Sequence, residues 1–126
     1  MAIRNGVDIV DVARLDRVLQ RWPRMQDRIF TEAESVYASS RKRRVEHLAA
    51  RFAAKEATFK ALGTGWPYLP YSDVEVVSGD SGPQLALKGK AAHLLGQRTT
   101  SLSIAHDGGF AVAQVIIEGD KDAARR

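Results

Sequence analysis

The segment from Val45 to Leu62 constrains the fold more than any other part of the chain. It is rich in Ala, Leu, Glu and Lys and contains no Gly or Pro, so it predicts a long helix. Gly63 follows directly and favours a left-handed C-terminal cap. At 3.6 residues per turn, Glu56 and Lys60 share a face with apolar residues such as Phe52 and Phe59. A carboxylate among core residues is costly unless something compensates its charge.

The rest of the chain alternates between short helices and strands. Beyond Asp11, Leu15, Val18, Leu19 and Trp22 form the buried stripe of an amphipathic helix, which Pro23 should end. Thr31 to Glu34 fits a capping box, and Lys90 to Leu95 predicts a short helix. Strands are predicted at Val7–Val10, Val74–Val76, Leu85–Leu87, Ser101–Ile104 and Phe110–Ile117. The last of these is apolar at nearly every position, which predicts cover on both faces, and 119–126 reads as a loose tail.

Length and composition exclude several classes of protein. The 126 residues are 44% hydrophobic and 27% charged, which predicts one globular domain over 1–126. No Cys is present, so disulfides, thiolate metal sites and thiol nucleophiles are excluded. No apolar run is long enough to span a bilayer, and the N-terminus lacks a signal-peptide pattern. We therefore expect a cytoplasmic protein that does not bind membranes.

The net charge of +4 is unevenly distributed. Between Arg14 and Arg44 there are nine basic residues and four acidic ones. Arg14, Arg21 and Arg24 lie beside the apolar stripe of the first helix, which suits an acidic partner helix, although a merely solvated face explains the spacing as well. The run Arg41 to Arg44 lacks the interleaved aromatic residues typical of nucleic-acid binding, so no nucleic-acid partner is expected.

Two interpretations of Glu56 remain open from spacing alone. Glu56 and Lys60 can form an ordinary i, i+4 ion pair at the edge of the helix. Alternatively, Glu56 binds a hard cation together with Asp8, an acid within an otherwise apolar strand. Two carboxylates, completed by water and phosphate oxygens, are a typical Mg²⁺ site. His106 stands at a strand end before Gly108 and is a further candidate, whereas His47 and His93 read as helix-surface residues.

Several segments, in order, resemble one enzyme family. They are GVDIVDVARL at 6–15, FTEAE at 30–34, LAARFAAKEATFKALGTG at 48–65, DVEV at 73–76, and SIAHD at 103–107 with FAVAQVII at 110–117. Together they resemble the bacterial holo-[acyl-carrier-protein] synthases, the small group of 4′-phosphopantetheinyl transferases. The resemblance implies that family's α+β fold, a mostly antiparallel sheet packed against a long central helix.

The resemblance also implies a reaction. The phosphopantetheine arm of coenzyme A moves to a serine of apo acyl carrier protein, adenosine 3′,5′-bisphosphate leaves, and Mg²⁺ is required. A Mg²⁺-dependent phosphohydrolase acting on a nucleotide-like pyrophosphate would use the same carboxylates and is the alternative. The serine needs a base, for which a metal-bound water, Glu56 or His106 with Asp107 would each serve.

Family positions assign roles to individual residues. Asp8 and Glu56 take the metal-ligand positions, and Glu56, Lys60 and His106 the catalytic ones. Coenzyme A is expected at Lys60, His106, Gly63, Arg51 and Lys55, and the acidic carrier protein at Arg14, Arg21 and Arg24. The family is typically a homotrimer with sites between neighbours, so we expect Asp8 and His106 of one chain to meet the Glu56 helix of the next, or a similar division.

Overall fold

The computed structural model describes residues 2–121, and the elements within that range follow one another in a simple order. They are β1 (Ala2–Asp11), α1 (Val12–Arg21), α2 (Arg24–Ile29), α3 (Glu32–Ser39), α4 (Arg44–Leu62), β2 (Val74–Gly79), β3 (Gly82–Leu87), α5 (Gly89–Leu95), β4 (Thr99–Asp107) and β5 (Phe110–Gly119). A single 3₁₀ turn at Tyr71–Asp73 precedes β2.

The strands form two antiparallel sheets, and α4 lies against both. The larger sheet has the order β1-β5-β4, and β2 pairs with β3 in the smaller one. One side of α4 packs on β1 and β5, and another part contacts β2. The α+β fold with a central helix is therefore confirmed, with the strands divided between two sheets.

Gly6 sets how closely β1 approaches α4. A Cβ atom built on Gly6 would lie 1.9 Å from the backbone oxygen of Ala57, so only glycine fits there. The small residues Ala53, Ala57 and Ala61 of α4 are fully buried on this side. This close contact brings Asp8, two residues along β1, against the helix turn that carries Lys60.

The local signals in the sequence are confirmed at the helix ends. Asp11 caps α1 by accepting a hydrogen bond from the backbone N–H of Arg14. Thr31 and Glu34 form the complete capping box at the start of α3. Gly63 ends α4 in the left-handed conformation, with φ of 89°.

Two predictions about burial and order are wrong, and a third is met only in part within one chain. Trp22 does not belong to the buried stripe: α1 ends at Arg21, and the indole is 56% exposed. Strand β5 alternates, with Ala111, Ala113, Val115 and Ile117 buried while Phe110 and Ile116 are exposed, so this chain by itself covers one face of the strand. Gly119 belongs to β5, and the oxygen of Lys121 accepts a hydrogen bond from Gln97. The remainder of the predicted tail, 122–126, lies outside the described residues.

Across residues 2–121, no helix has the length and apolar character needed to cross a membrane.

Candidate active site

Asp8 and Lys60 meet at the contact between β1 and α4. Lys60 Nζ lies 3.0 Å from Asp8 Oδ1 and donates a second hydrogen bond to the backbone oxygen of Val7. The Lys60 side chain is 55% exposed and that of Asp8 19% exposed. Lys60 thus pairs with β1, and the i, i+4 pair with Glu56 is not formed.

Glu56 is held by a residue from the loop after α4. The hydroxyl of Tyr71 donates a hydrogen bond of 2.6 Å to Glu56 Oε1. Burial raises the pKa of Tyr71 above its ordinary value, and the hydrogen bond to the Glu56 carboxylate raises it further. The tyrosine therefore stays protonated and remains a donor to Glu56.

Asp8 and Glu56 line one cavity of about 610 Å³. Asp11, Arg14, Phe52 and Phe110 are among its other lining residues. No group of three or more potential metal-ligating side chains is found among residues 2–121, so a cation here would have at most two protein carboxylates. Such an oxygen-only pair leaves coordination positions for water and substrate and suits Mg²⁺.

A second hollow continues on the far side of Glu56 and Lys60. Its volume is about 490 Å³, and it is lined by Gly63, Thr64, Gly65, Phe59, Trp66 and Tyr71 together with those two residues. Gly63, predicted to contact coenzyme A, thus borders the same pair of charged side chains. Gly63 has a φ of 89°, which residues with side chains rarely adopt, so glycine suits this position best.

His106 lies in a different cleft, of about 440 Å³. Its Nδ1 is 2.9 Å from Glu46 Oε1, and Arg51, Tyr37 and His47 line the same cleft. Neither Asp8 nor Glu56 lines it. The expected division, with Asp8 and His106 in one chain facing Glu56 of the next, is therefore wrong, because Asp8 and Glu56 share one cavity within a chain.

Arg51 is a buried cation that lines the His106 cleft. It is 6% exposed, its guanidinium lies 4.2 Å from the centre of the Tyr37 ring, and its Nε has no hydrogen-bond partner. Burial lowers the pKa of Arg51, which nevertheless stays charged at neutral pH. Arg41 lies 4.4 Å from the same ring. Tyr37 thus sits in contact with two guanidinium groups.

Lys55 does not fit the predicted role in coenzyme A binding. Its side chain is completely buried, Nζ is 2.8 Å from Glu34 Oε1, and it donates to the backbone oxygens of Tyr71 and Val74. Burial lowers the pKa of Lys55, and the ion pair with Glu34 opposes that change. All three ammonium donors are used inside the core, so none remains for a ligand.

The three arginines expected to bind a partner lie on or just after α1. Arg14 lines the cavity of Asp8 and Glu56. Arg21 and Arg24 line a neighbouring hollow of about 480 Å³ with Trp22, Met25 and Arg28. Arg21 stacks 4.9 Å from the centre of the Trp22 ring. The cationic surface is therefore continuous with the carboxylate cavity on one side and an exposed indole on the other.

Sequence reasoning missed Tyr71, Tyr37 and His47 as site residues. His47 is partly buried and packs edge-on against Tyr37, so its interpretation as a helix-surface residue is wrong. Tyr71 stands in a loop of prolines and aromatics whose only sequence signal is rigidity. Its contact with Glu56 depends on how that loop returns to α4.

Comparison with known proteins shows the family to which the chain belongs. A family model described as the 4′-phosphopantetheinyl transferase superfamily matches residues 4–115. A curated holo-[acyl-carrier-protein] synthase from a Geobacter species is 44% identical over 124 residues, which cover 94% of this chain and 99% of that protein.

Solved structures show the same fold. The ACPS–CoA complex of Chronobacterium ammoniagenes superposes with a TM-score of 0.86 at 31% identity, covering 95% of this chain and 99% of that one. A holo-(acyl-carrier-protein) synthase from Bacillus anthracis in complex with CoA (3′,5′-ADP) gives 0.79 at 37% identity, covering 94% and 100%.

The fold and the site together define a class of small α+β domains in which two carboxylates and a lysine meet at a contact between a helix and a strand. The chain belongs to the 4′-phosphopantetheinyl transferase superfamily, within its holo-[acyl-carrier-protein] synthase group.

Proposed function

We propose that this enzyme transfers the 4′-phosphopantetheine group of coenzyme A to a serine of apo acyl carrier protein in the cytoplasm. The products are holo acyl carrier protein and adenosine 3′,5′-bisphosphate, and the reaction depends on Mg²⁺. One observation carries the proposal: Asp8 and Glu56 line a single cavity, and Lys60 bonds to Asp8 at its edge. The coenzyme A complexes of the C. ammoniagenes and B. anthracis proteins support the choice of donor.

The residues present fit Mg²⁺. Asp8 and Glu56 supply hard oxygen donors from two different elements, and Glu56 Oε2 has no hydrogen-bond partner within residues 2–121. Mg²⁺ bound there supplies charge stabilisation for the pyrophosphate oxygens. Lys60 contributes a second positive charge next to Asp8, suited to neutralising the phosphate that leaves.

The His106 cleft fits the nucleotide end of coenzyme A. Arg51 offers a buried guanidinium with an unpaired Nε, and His106 is oriented by Glu46. A guanidinium and an imidazole are common phosphate-binding groups. In one chain these groups and the carboxylate pair line separate clefts. We therefore propose that the reaction site is completed between subunits, with Asp8 and Glu56 from one and Arg51 and His106 from its neighbour.

The outer face of the larger sheet supports a homotrimer. Ile3, Val7, Ile9, Phe110 and Ile116 are exposed apolar residues of β1 and β5. Val7 is 52% and Ile9 62% exposed, although the two strands are fully paired with one another. These apolar side chains share the face with polar Asn5 and Gln114, which hydrogen-bond to each other, and a group of exposed apolar side chains of this size is often covered by another surface. Contact between copies of this face would cover both strands.

The arginines of α1 suit the acidic carrier protein. Arg14 lies at the carboxylate cavity, so a partner docked along α1 would bring its serine close to the reacting phosphate. Arg21 and Arg24 continue the cationic surface beyond the end of the helix. Complementary charge of this kind chiefly speeds and orients encounter.

Mass spectrometry of a carrier protein tests the proposal. Purified enzyme is incubated with coenzyme A, Mg²⁺ and an apo acyl carrier protein, and a Glu56→Gln variant serves as the control. We expect the carrier to gain one phosphopantetheine with the parent enzyme alone. An unmodified carrier would contradict the proposal, and phosphopantetheine released without any carrier would favour the phosphohydrolase.

A further inference from the structure

Tyr71 is held by two adjacent residues of α4. Its backbone oxygen accepts a hydrogen bond of 3.1 Å from Lys55 Nζ, and its hydroxyl donates one of 2.6 Å to Glu56 Oε1. Lys55 and Glu56 are neighbours in the sequence but point into different surroundings, one into the core and the other into the cavity. Tyr71 therefore links the core of the protein to the carboxylate pair.

The core end of this link is rigid. Lys55 forms a fully buried ion pair with Glu34, whose Oε1 also accepts from the backbone N–H of Thr31. Glu34 Oε2 accepts a hydrogen bond of 2.8 Å from the N–H of Val76 in β2. Both charges are thus satisfied by each other and by backbone groups of Thr31, the 3₁₀ turn and β2. A satisfied buried network of this kind has little freedom to shift.

The aromatic ring of Tyr71 is fixed as well. Its centre lies 5.3 Å from that of Phe59 and 5.6 Å from that of Phe52. Trp66 stacks on it at 5.6 Å, with 16° between the ring planes. Rings enclosed on several sides cannot swing, so the hydroxyl is presented to Glu56 in one direction.

This arrangement determines which oxygen of Glu56 is free. Oε1 is occupied by Tyr71, whereas Oε2 has no hydrogen-bond partner in the described part of the chain. A glutamate side chain has three rotatable bonds, and anchoring one oxygen removes much of that freedom. Partners of this type orient metal ligands and are often as important as the ligands themselves.

We propose that Tyr71 is a positioning residue that orients the Glu56 carboxylate, leaving Oε2 available to the divalent cation. The inference rests on the proposed function, because it assigns the cation to Glu56. Tyr71 touches neither substrate nor reacting atoms in this role and acts through Glu56 alone.

Tyr71→Phe tests the role, since it keeps the ring and removes only the hydroxyl. Tyr68→Phe is the matched control. Tyr68 lies three residues away in the same loop, is 57% exposed and makes a cation–π contact with Lys90. Mg²⁺ binding is measured by calorimetry on the coenzyme A complex, with kcat, KM and thermal unfolding in parallel. We expect Tyr71→Phe to weaken Mg²⁺ binding and lower kcat, each on the order of tenfold. In Tyr71→Phe, KM for the carrier protein and the unfolding temperature should be unchanged. The Tyr68→Phe variant should match the parent enzyme in all of these measurements.

Each other outcome has a definite meaning. Unchanged Mg²⁺ affinity in Tyr71→Phe would overturn the positioning role, whether or not the variant unfolds at a lower temperature. A parent enzyme that binds Mg²⁺ but modifies no carrier protein would overturn the proposed function, while the Mg²⁺ comparison would still decide the role of Tyr71. A parent that binds no Mg²⁺ would overturn both.

Discussion

Asp8 Oδ1 and Lys60 Nζ lie 3.0 Å apart across the contact of β1 with α4, although 52 residues separate them in the chain. Lys60 therefore places a positive charge next to Asp8, one of the two carboxylates that line the cavity. Gly6 permits this approach, because any side chain there would collide with Ala57. The Asp8–Lys60 contact thus depends on a close backbone approach as much as on the two charged side chains.

Lys60→Met should lower kcat on the order of a hundredfold while leaving KM for the carrier protein unchanged, because it removes charge that acts in the transition state. Steady-state kinetics with both substrates measures this. Lys88→Met, which removes an exposed lysine ahead of α5, is the matched control. A rise in KM with unchanged kcat would assign Lys60 to binding alone.

Glu56→Gln and Asp8→Asn should each abolish transfer and weaken Mg²⁺ binding with the fold retained, because the replacements are nearly isosteric but uncharged. In mixed trimers these two variants should not rescue each other, since Asp8 and Glu56 line one cavity of one chain. Glu56→Gln mixed with His106→Ala should regain part of the activity. Rescue between the Asp8 and Glu56 variants would refute the shared cavity.

Arg14→Glu should raise KM for the carrier protein and leave KM for coenzyme A unchanged, because this exposed charge steers the acidic partner. The difference from the parent should shrink as salt is added. Kinetics at low and high ionic strength checks both points, with Lys88→Glu as a control for the same change in charge. An equal effect on both substrates would place Arg14 in the reaction site.

Lys55→Met should destabilise the protein by about 3–5 kcal/mol, because it leaves the Glu34 carboxylate buried without its partner. Urea unfolding measures the change. Arg43→Met breaks the Arg43–Glu46 pair, whose arginine is 74% exposed, and should change stability little. Similar losses of unfolding free energy in the two variants would show that burial of the Glu34–Lys55 pair does not determine its contribution to stability.

His47 should make the protein less stable as the pH falls below about 6.5. Burial lowers the pKa of His47 in the folded state, and the nearby Arg51 lowers it further. The unfolded chain then binds a proton at a higher pH than the folded one, so acid favours unfolding. His47→Gln should lose stability less steeply between about pH 7 and about pH 5.5. Urea unfolding at several pH values tests this, with His93→Gln as the exposed control, and an equal slope in parent and His47→Gln would contradict it.

Local sequence patterns predicted four of the five helices in residues 2–121, several of their caps and the position of each strand, but not α2 at Arg24–Ile29. The helix caps depend only on hydrogen bonds and backbone angles within a few residues, so they can be predicted without knowing the fold. Examples are Asp11, the Thr31–Glu34 capping box and Gly63. The ordered blocks from 6–15 to 110–117 were also enough to indicate the family. Asp8 and Glu56 could be suspected as a pair, because each carboxylate breaks an apolar pattern, although spacing alone allowed an i, i+4 pair of Glu56 with Lys60 equally well.

Tertiary structure alone decided which charges serve the core and which serve the site. Lys55 and Lys60 are five residues apart on α4, yet Lys55 is buried against Glu34 and Lys60 reaches Asp8. Helical periodicity gives the angle of each side chain around α4 but not which element packs at that angle. The hydrogen bond from Tyr71 to Glu56 and the position of the His106 cleft also result from long-range packing. The residues involved lie far apart in the sequence, so local patterns do not show that they are close in space.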